Sequence, residues 1–240
     1  MARMKHYFGM VFSFRRYGLL RMGASLLWLG SLSVSAQDSD ALIGRWLSAQ
    51  TNIQTWTAAF TQTRSLKSFT QPLVSTGQVW FATPNRFRWE LMHPGHTIAV
   101  RAADQMLVIY PKLKRVEKYP LTGTQMGQWK ETLSLLEAGF PGSRQEMESR
   151  FKIASATVAD NVCETTLVPK SATARRMMPQ IKIAFSTTNF LLRATELQFA
   201  DGSTMRNEFA EGKLNIPVEP EMFAPALDNT YKVVEPLKPK

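Results

Sequence analysis

Arg86-Phe87-Arg88-Trp89-Glu90-Leu91 alternates without interruption between charged and large apolar side chains. On a strand, neighbouring side chains point to opposite faces, so Phe87, Trp89 and Leu91 share one surface and Arg86, Arg88 and Glu90 the other. Pro84-Asn85 before the run and His93-Pro94-Gly95-His96 after it are turn material, which predicts antiparallel hairpins on both sides.

Working outward, the same period continues. Ile98, Val100 and Arg101 open another strand, Ala103-Asp104-Gln105 is a turn, Met106 to Tyr110 is a more continuously apolar strand, and Arg115 to Tyr119 is one more. Upstream, Trp56, Ala58 and Phe60 alternate with threonine and alanine and end at Gln71-Pro72. Before that strand, Asp38 to Asp40 can cap a short helix bearing Ile43, Trp46 and Leu47 at i, i+3, i+4 spacing. Downstream the period switches to helical for Met126, Trp129, Leu133 and Leu136, ending at Gly139 and Pro141, and Ser143-Arg144-Gln145-Glu146 forms a capping box for a second helix. Strands return at 151–154, 162–168, 181–185, 191–199 and 204–209, with Asp201-Gly202 as a hairpin turn. The proline-rich tail after Pro217 reads as extended or loosely packed, with room for one last strand near Tyr231 to Val234. The fold class is therefore mainly β (α+β): a single domain with a long antiparallel sheet and a few short helices against one face.

The first residues belong to another purpose. Arg3, Lys5, Arg15, Arg16 and Arg21 precede an uncharged run from Met22 to Val34, and Val34-Ser35-Ala36 fits a cleavage site. Residues 1–36 thus read as a cleaved signal peptide, too short in its apolar part to span a membrane. The residues after Arg15-Arg16 match a twin-arginine signal poorly, so ordinary export is expected. The leader holds no cysteine, so no lipid anchor is expected on the mature chain. Removing 36 of the 240 residues leaves 204 and takes five of the 29 basic residues and none of the 19 acidic ones, so the formal charge falls from +10 to +5. A chain of that length can bury roughly 70% of its unfolded surface in one core. The remaining basic residues are spread out, apart from Lys112-Leu113-Lys114-Arg115 and Arg175-Arg176, which argues against nucleic acid as a partner.

Groups for chemistry are scarce in the mature sequence. Cys163 is the only cysteine, which excludes an internal disulfide, and its predicted strand position suits a buried inert thiol. His93 and His96 form a lone H-x-x-H in a turn, without the third ligand that a zinc motif needs. No glycine-rich phosphate loop and no Gly-x-Ser-x-Gly elbow is present, and Glu131 and Glu137 read as a solvated helix face. No cofactor, no metal and no enzymatic activity is expected. What the sequence has in quantity is aromatic residues on strands, which form a core and can also wall an apolar cavity where a curved sheet leaves space beneath its helices.

Gly77-Gln78-Val79-Trp80 followed by Pro84-Asn85-Arg86-Phe87-Arg88-Trp89 resembles the periplasmic outer-membrane lipoprotein carrier family, LolA. Trp56-Thr57-Ala58-Ala59-Phe60-Thr61-Gln62 resembles the family's first strand, Met106 to Pro111 its strand ending in an aromatic and proline, and Leu167-Val168-Pro169-Lys170 its L-x-P-K element. The likeness is colinear over most of residues 40–225. It implies an unclosed antiparallel β-barrel with a lid of short α-helices, in residues 37–240. It also implies a periplasmic, monomeric carrier of acylated lipoproteins, loaded by an inner-membrane ABC exporter and unloaded at an outer-membrane receptor. Trp56, Phe60, Phe87 and Trp89 match the family's cavity aromatics by position. Periodicity adds Leu91, Ile98, Val100, Leu107 and Ile109 as expected lining residues, with Trp129, Leu133 and Leu136 on a candidate lid helix.

Thr83 stands where well-studied members carry an arginine before the Pro-Asn, and threonine cannot span the same distance or carry charge. Lid control is therefore expected to differ, which leaves cargo and partner open. Two other readings remain: a lipid- or lipoprotein-sensing regulatory domain on the same fold, and a hydrolase using His93 and Glu90.

Overall fold

Strand β3 (Arg86–His93) sits inside a continuous antiparallel series made by β1 (Thr55–Ser65), β2 (Leu73–Ala82), β4 (Thr97–Ala102), β5 (Gln105–Tyr110) and β6 (Arg115–Pro120). This computed structural model describes residues 36–84, 86–102, 104–121 and 143–236. The second half supplies β7 (Phe151–Ala159), β8 (Val162–Pro169), β9 (Gln180–Ser186), β10 (Leu192–Gln198) and β11 (Thr204–Leu214), and β11 pairs with β1. A last strand, β12 (Lys232–Val234), runs parallel to β6. The sheet order is β12-β6-β5-β4-β3-β2-β1-β11-β10-β9-β8-β7, and its two ends are not paired with each other, so the sheet is unclosed.

Three helices are described. In α1 (Ala36–Gln50), Ile43, Trp46 and Leu47 fall on one face and are buried against the sheet, where Trp46 stacks on Phe185 with centroids 4.9 Å apart. Such a stack contributes about 0.5–1.5 kcal/mol beyond the area it buries. Helix α2 (Arg144–Arg150) starts where the sequence predicts: the Ser143 side chain accepts a hydrogen bond from the Glu146 N–H at 3.1 Å. Arg144 ties α2 to Asp40 of α1. The third, α3 (Ala172–Met177), capped by Ser171, was not foreseen, because six residues give too short a window for a helical period.

Cross-strand partners share a face, so the register assigns every side chain. The inner face carries Trp56, Ala58 and Phe60 of β1, Val79 and Phe81 of β2, and Phe87, Trp89 and Leu91 of β3. It continues through Phe209, Leu197, Ile183 and Leu167 into a core closed by α1, α2 and α3. The outer face of β2 to β6 has its own core. There the 3-10 turn Pro220–Phe223 and the residues around it cover Ala82, Ile98, Val100, Ile109 and Val116. The tail is therefore packed rather than loose, with Phe223 buried in that second core.

Candidate functional site

Four aromatic rings meet on the inner face. Phe60 and Trp89 lie 4.1 Å apart, Trp89 and Phe209 6.0 Å, Phe60 and Phe209 6.5 Å, and Trp56 and Phe209 5.1 Å, the contacts to Phe209 being edge-on. Phe60 and Trp89 belong to strands with β2 between them, and what lies opposite Phe60 on β2 is Gly77. A Cβ there would come within 2.7 Å of the Phe60 ring and 2.0 Å of the Glu90 carbonyl oxygen. The glycine therefore lets the Phe60 ring cross β2 and reach Trp89.

Burial divides this face in two. Trp56, Phe60 and Phe209 are buried, whereas Phe81, Phe87, Trp89 and Leu91 are only half-buried. Beyond β3 the strip continues through Val108, also half-buried, and Met106, which packs with Phe87 and Tyr119. Polar groups punctuate the face: Thr97 and Arg101 of β4 stand on it, Arg101 between Phe87 and Met106, and two hydrogen-bonded clusters lie to either side. Gln62 donates to Asn207 at 2.9 Å, and Asn207 in turn donates to Thr195, which forms a buried rung. Near β6, the Glu117 carboxylate accepts from the Tyr119 hydroxyl at 2.8 Å and the Arg115 guanidinium. Burial, followed by the Glu117 contact, pushes the Tyr119 hydroxyl well above the usual phenol range, so it stays a neutral donor.

The expected lining set separates accordingly. Trp56, Phe60, Phe87, Trp89 and Leu91 are brought together on the inner face. Ile98, Val100, Leu107 and Ile109 are not: Ile98 pairs with Glu90 and Ile109, and Val100 with Arg88 and Leu107, which places all four on the outer face beneath the tail. The physical reason is parity. In β4 it is Thr97, Ala99 and Arg101 that pair with Leu91, Trp89 and Phe87 on the inner face. An apolar pattern reveals that a face is buried, but not which of two covered faces it is. Met106, Val108, Phe81 and Phe209 also lie on this face outside the expected lining set, and counting register outward from Trp89 finds the first two. Trp129, Leu133 and Leu136 lie outside the described residues.

The residues considered for catalysis are engaged otherwise. On the outer face Glu90 receives Arg88 at 2.7 Å and faces His96 Nε2 at 2.7 Å. Burial works to raise the Glu90 carboxyl, but the hydrogen bonds from Arg88 and His96 outweigh it and hold the carboxyl below its ordinary value. A carboxylate so fixed is a structural anion, and Arg88 reaches on to the Met222 carbonyl of the tail and lies over the Trp80 ring. Cys163 is buried, and burial raises its thiol. Among the described residues no group of three or more His, Cys, Asp or Glu is placed to hold a metal ion. Thr83 bonds twice to Gln54, through its N–H to the Gln54 carbonyl and through its hydroxyl to the side chain, both at 2.9 Å. A cleft of about 310 Å³ opens on the outer face between Thr57, Trp80, Val218 and Met222, with Glu211 and Lys213 at its side.

The geometry on this face is that of a partly open apolar surface, and the chain is similar to the following known proteins. The family model "Outer membrane lipoprotein carrier protein LolA" matches residues 51–226. An outer-membrane lipoprotein carrier protein of Dechloromonas aromatica is 23% identical over 176 residues, 72% of this chain and 79% of that protein. An uncharacterized conserved protein of Thermus thermophilus aligns with a TM-score of 0.48 and 10% identity, covering 84% of this chain and 99% of that one. A LolA superfamily protein of Nitrosomonas europaea aligns with a TM-score of 0.40 and 8% identity, over 77% of this chain and 96% of that one. With residues 51–226 matched, the chain belongs to the LolA family of outer membrane lipoprotein carrier proteins.

Proposed function

We propose that residues 37–240, exported and freed of their leader, bind the acyl chains of lipoproteins on the inner face and carry them through the periplasm. The observation that carries this reading is the half-buried strip Phe87, Trp89, Leu91 and Val108, continuous with the buried cluster of Phe60 and Phe209. Large apolar side chains left partly uncovered beside a finished core are a site for apolar cargo. Each methylene removed from water is worth about 0.8 kcal/mol, so a multiply acylated protein crosses an aqueous space only if its chains have such a shelter. The task needs no catalytic group. Loading from an inner-membrane ABC exporter and release to an outer-membrane receptor complete the cycle. Thr83, bonded to Gln54, leaves no arginine at this position to hold a lid.

Delipidated protein mixed with a triacylated peptide tests the reading. A one-to-one complex is expected, weakened strongly by Phe87→Glu. Absence of a complex, or full binding by the variant, refutes it.

A further inference from the structure

Because the strands run up and down, the β1–β2, β3–β4 and β5–β6 turns all emerge at one end of the sheet. That end is unusual in two respects. First, large apolar side chains stand in solvent there. Leu113, at the tip of β5–β6, is 70% exposed, and Phe69, in the β1–β2 turn, is 58% exposed. Leu73, Val74 and Met92 are also exposed at the same end, whereas among the described residues Leu214 is the exposed large apolar side chain at the far end. Second, the first and third tips are cationic, while the second carries only the histidines His93 and His96. Arg64 and Lys67 flank the first, Lys112, Lys114 and Arg115 form the third, and residues 64–76, 91–97 and 110–115 contain no carboxylate. The nearby anions are Asp201, beside Lys67, Glu90, which faces His96, and Asp228 and Glu117, which pair with Lys114 and Arg115.

These tips are shaped, not slack. Phe69 N–H closes a turn onto the Leu66 carbonyl, and Lys67 N–H donates to the Ser203 hydroxyl. In the third tip Pro111–Leu113 forms a 3-10 turn, and Lys114 N–H returns to the Pro111 carbonyl. An exposed phenylalanine and leucine held on fixed turns have no partner in the fold to explain them.

We propose that this end of the sheet docks on an anionic lipid surface, with Phe69 and Leu113 entering the headgroup layer and Lys67 and Lys112 resting on lipid phosphates. Neighbouring strands are about 4.8 Å apart, so the tips from β1 to β6 spread over roughly 25 Å. Apolar anchors at either side of that width, Phe69 near Lys67 and Leu113 between Lys112 and Lys114, suit a flat and laterally fluid surface. A folded partner would need separate pockets for each anchor, and the core of a protein interface is depleted in lysine. The inner face ends at this same margin, since Leu91 immediately precedes Met92. Docking would therefore bring the apolar strip to the edge of the membrane from which acyl chains come or into which they go.

The test is co-sedimentation of the purified protein with protein-free vesicles. Pelleting is expected with phosphatidylcholine–phosphatidylglycerol vesicles, falling as salt rises, and not with phosphatidylcholine alone. The Lys67→Ser/Lys112→Ser pair and the Phe69→Ser/Leu113→Ser pair should each weaken it by at least about tenfold. All four side chains are exposed, so the unfolding midpoints and triacyl-peptide binding of both variants should match the parent, which separates failure here from failure of the carrier reading. No pelleting with anionic vesicles, equal pelleting with neutral ones, or unchanged binding by the variants overturns the proposal. Pelleting only with native membranes, and not with protein-free vesicles, also overturns it, in favour of a membrane protein as the partner.

Discussion

Phe60 on β1 and Trp89 on β3 touch, centroids 4.1 Å apart, although β2 runs between their strands. The contact is made over Gly77, whose missing side chain leaves the space that the Phe60 ring fills. Any larger residue there meets the Glu90 backbone as well as the ring, so the strain cannot be relieved by rotating Phe60 alone. Gly77→Ala should lower stability by about 1–3 kcal/mol, and Phe60→Leu in the same chain should recover only part of it. Urea unfolding of the two variants measures both.

Parity gives a second expectation. Leu107 and Val108 are sequence neighbours of similar size on opposite faces of β5, both half-buried. Val108→Ser should weaken triacyl-peptide binding several-fold, and Leu107→Ser should leave it unchanged while lowering the melting temperature. Equal effects of the two on binding would mean that the inner face is not the site.

The tail is a third test case. Phe223 is buried beneath β3 and β4, so Phe223→Ala should cost about 3–5 kcal/mol in an unfolding titration. Acyl-peptide affinity of the folded variant should not change, since the ring lies on the outer face.

Glu90 predicts a response to acid. Its carboxyl is held below the ordinary value of 4.5 in the fold, so the unfolded chain binds the proton more readily than the folded one. The stabilisation is present above 4.5 and is lost as pH falls through the lower folded value. Relative to the parent, Glu90→Gln should be less stable at neutral pH, and the gap should close in acid; thermal melts of both proteins across that range check the sign.

A buried polar rung gives the last expectation. Gln62 and Asn207 satisfy each other at 2.9 Å inside the apolar face, so Asn207→Leu strands the Gln62 amide. A loss of about 1–3 kcal/mol is expected, and changing Gln62 to Leu as well should restore part of it, as a double-mutant unfolding cycle would show.

Much of this architecture was readable from side-chain order. The alternation at Phe87, Trp89 and Leu91 gave a strand and a shared face, the spacing of Ile43, Trp46 and Leu47 gave a helix and its buried side, and Ser143 marked the start of α2. Ile98, Val100, Leu107 and Ile109 were legible as buried but not as to which side, because a tail more than a hundred residues later covers the second face. That covering is a long-range event with no local signature. Gly77 was visible only as part of a resemblance, since the ring that needs its empty space is on another strand. The short α3 lacks enough turns to announce itself.

The three residues of β12 have an effect out of proportion to their number. They run parallel to β6 along Arg115–Glu117, so the backbone amides and carbonyls of the first half of that strand are already spoken for. Lys232, which leads the strand, puts a charge where an incoming chain would have to settle. Without this stitch the first half of β6 would also present bare backbone to any extended polypeptide, and one large open sheet would have a longer edge along which to stack upon its own copies.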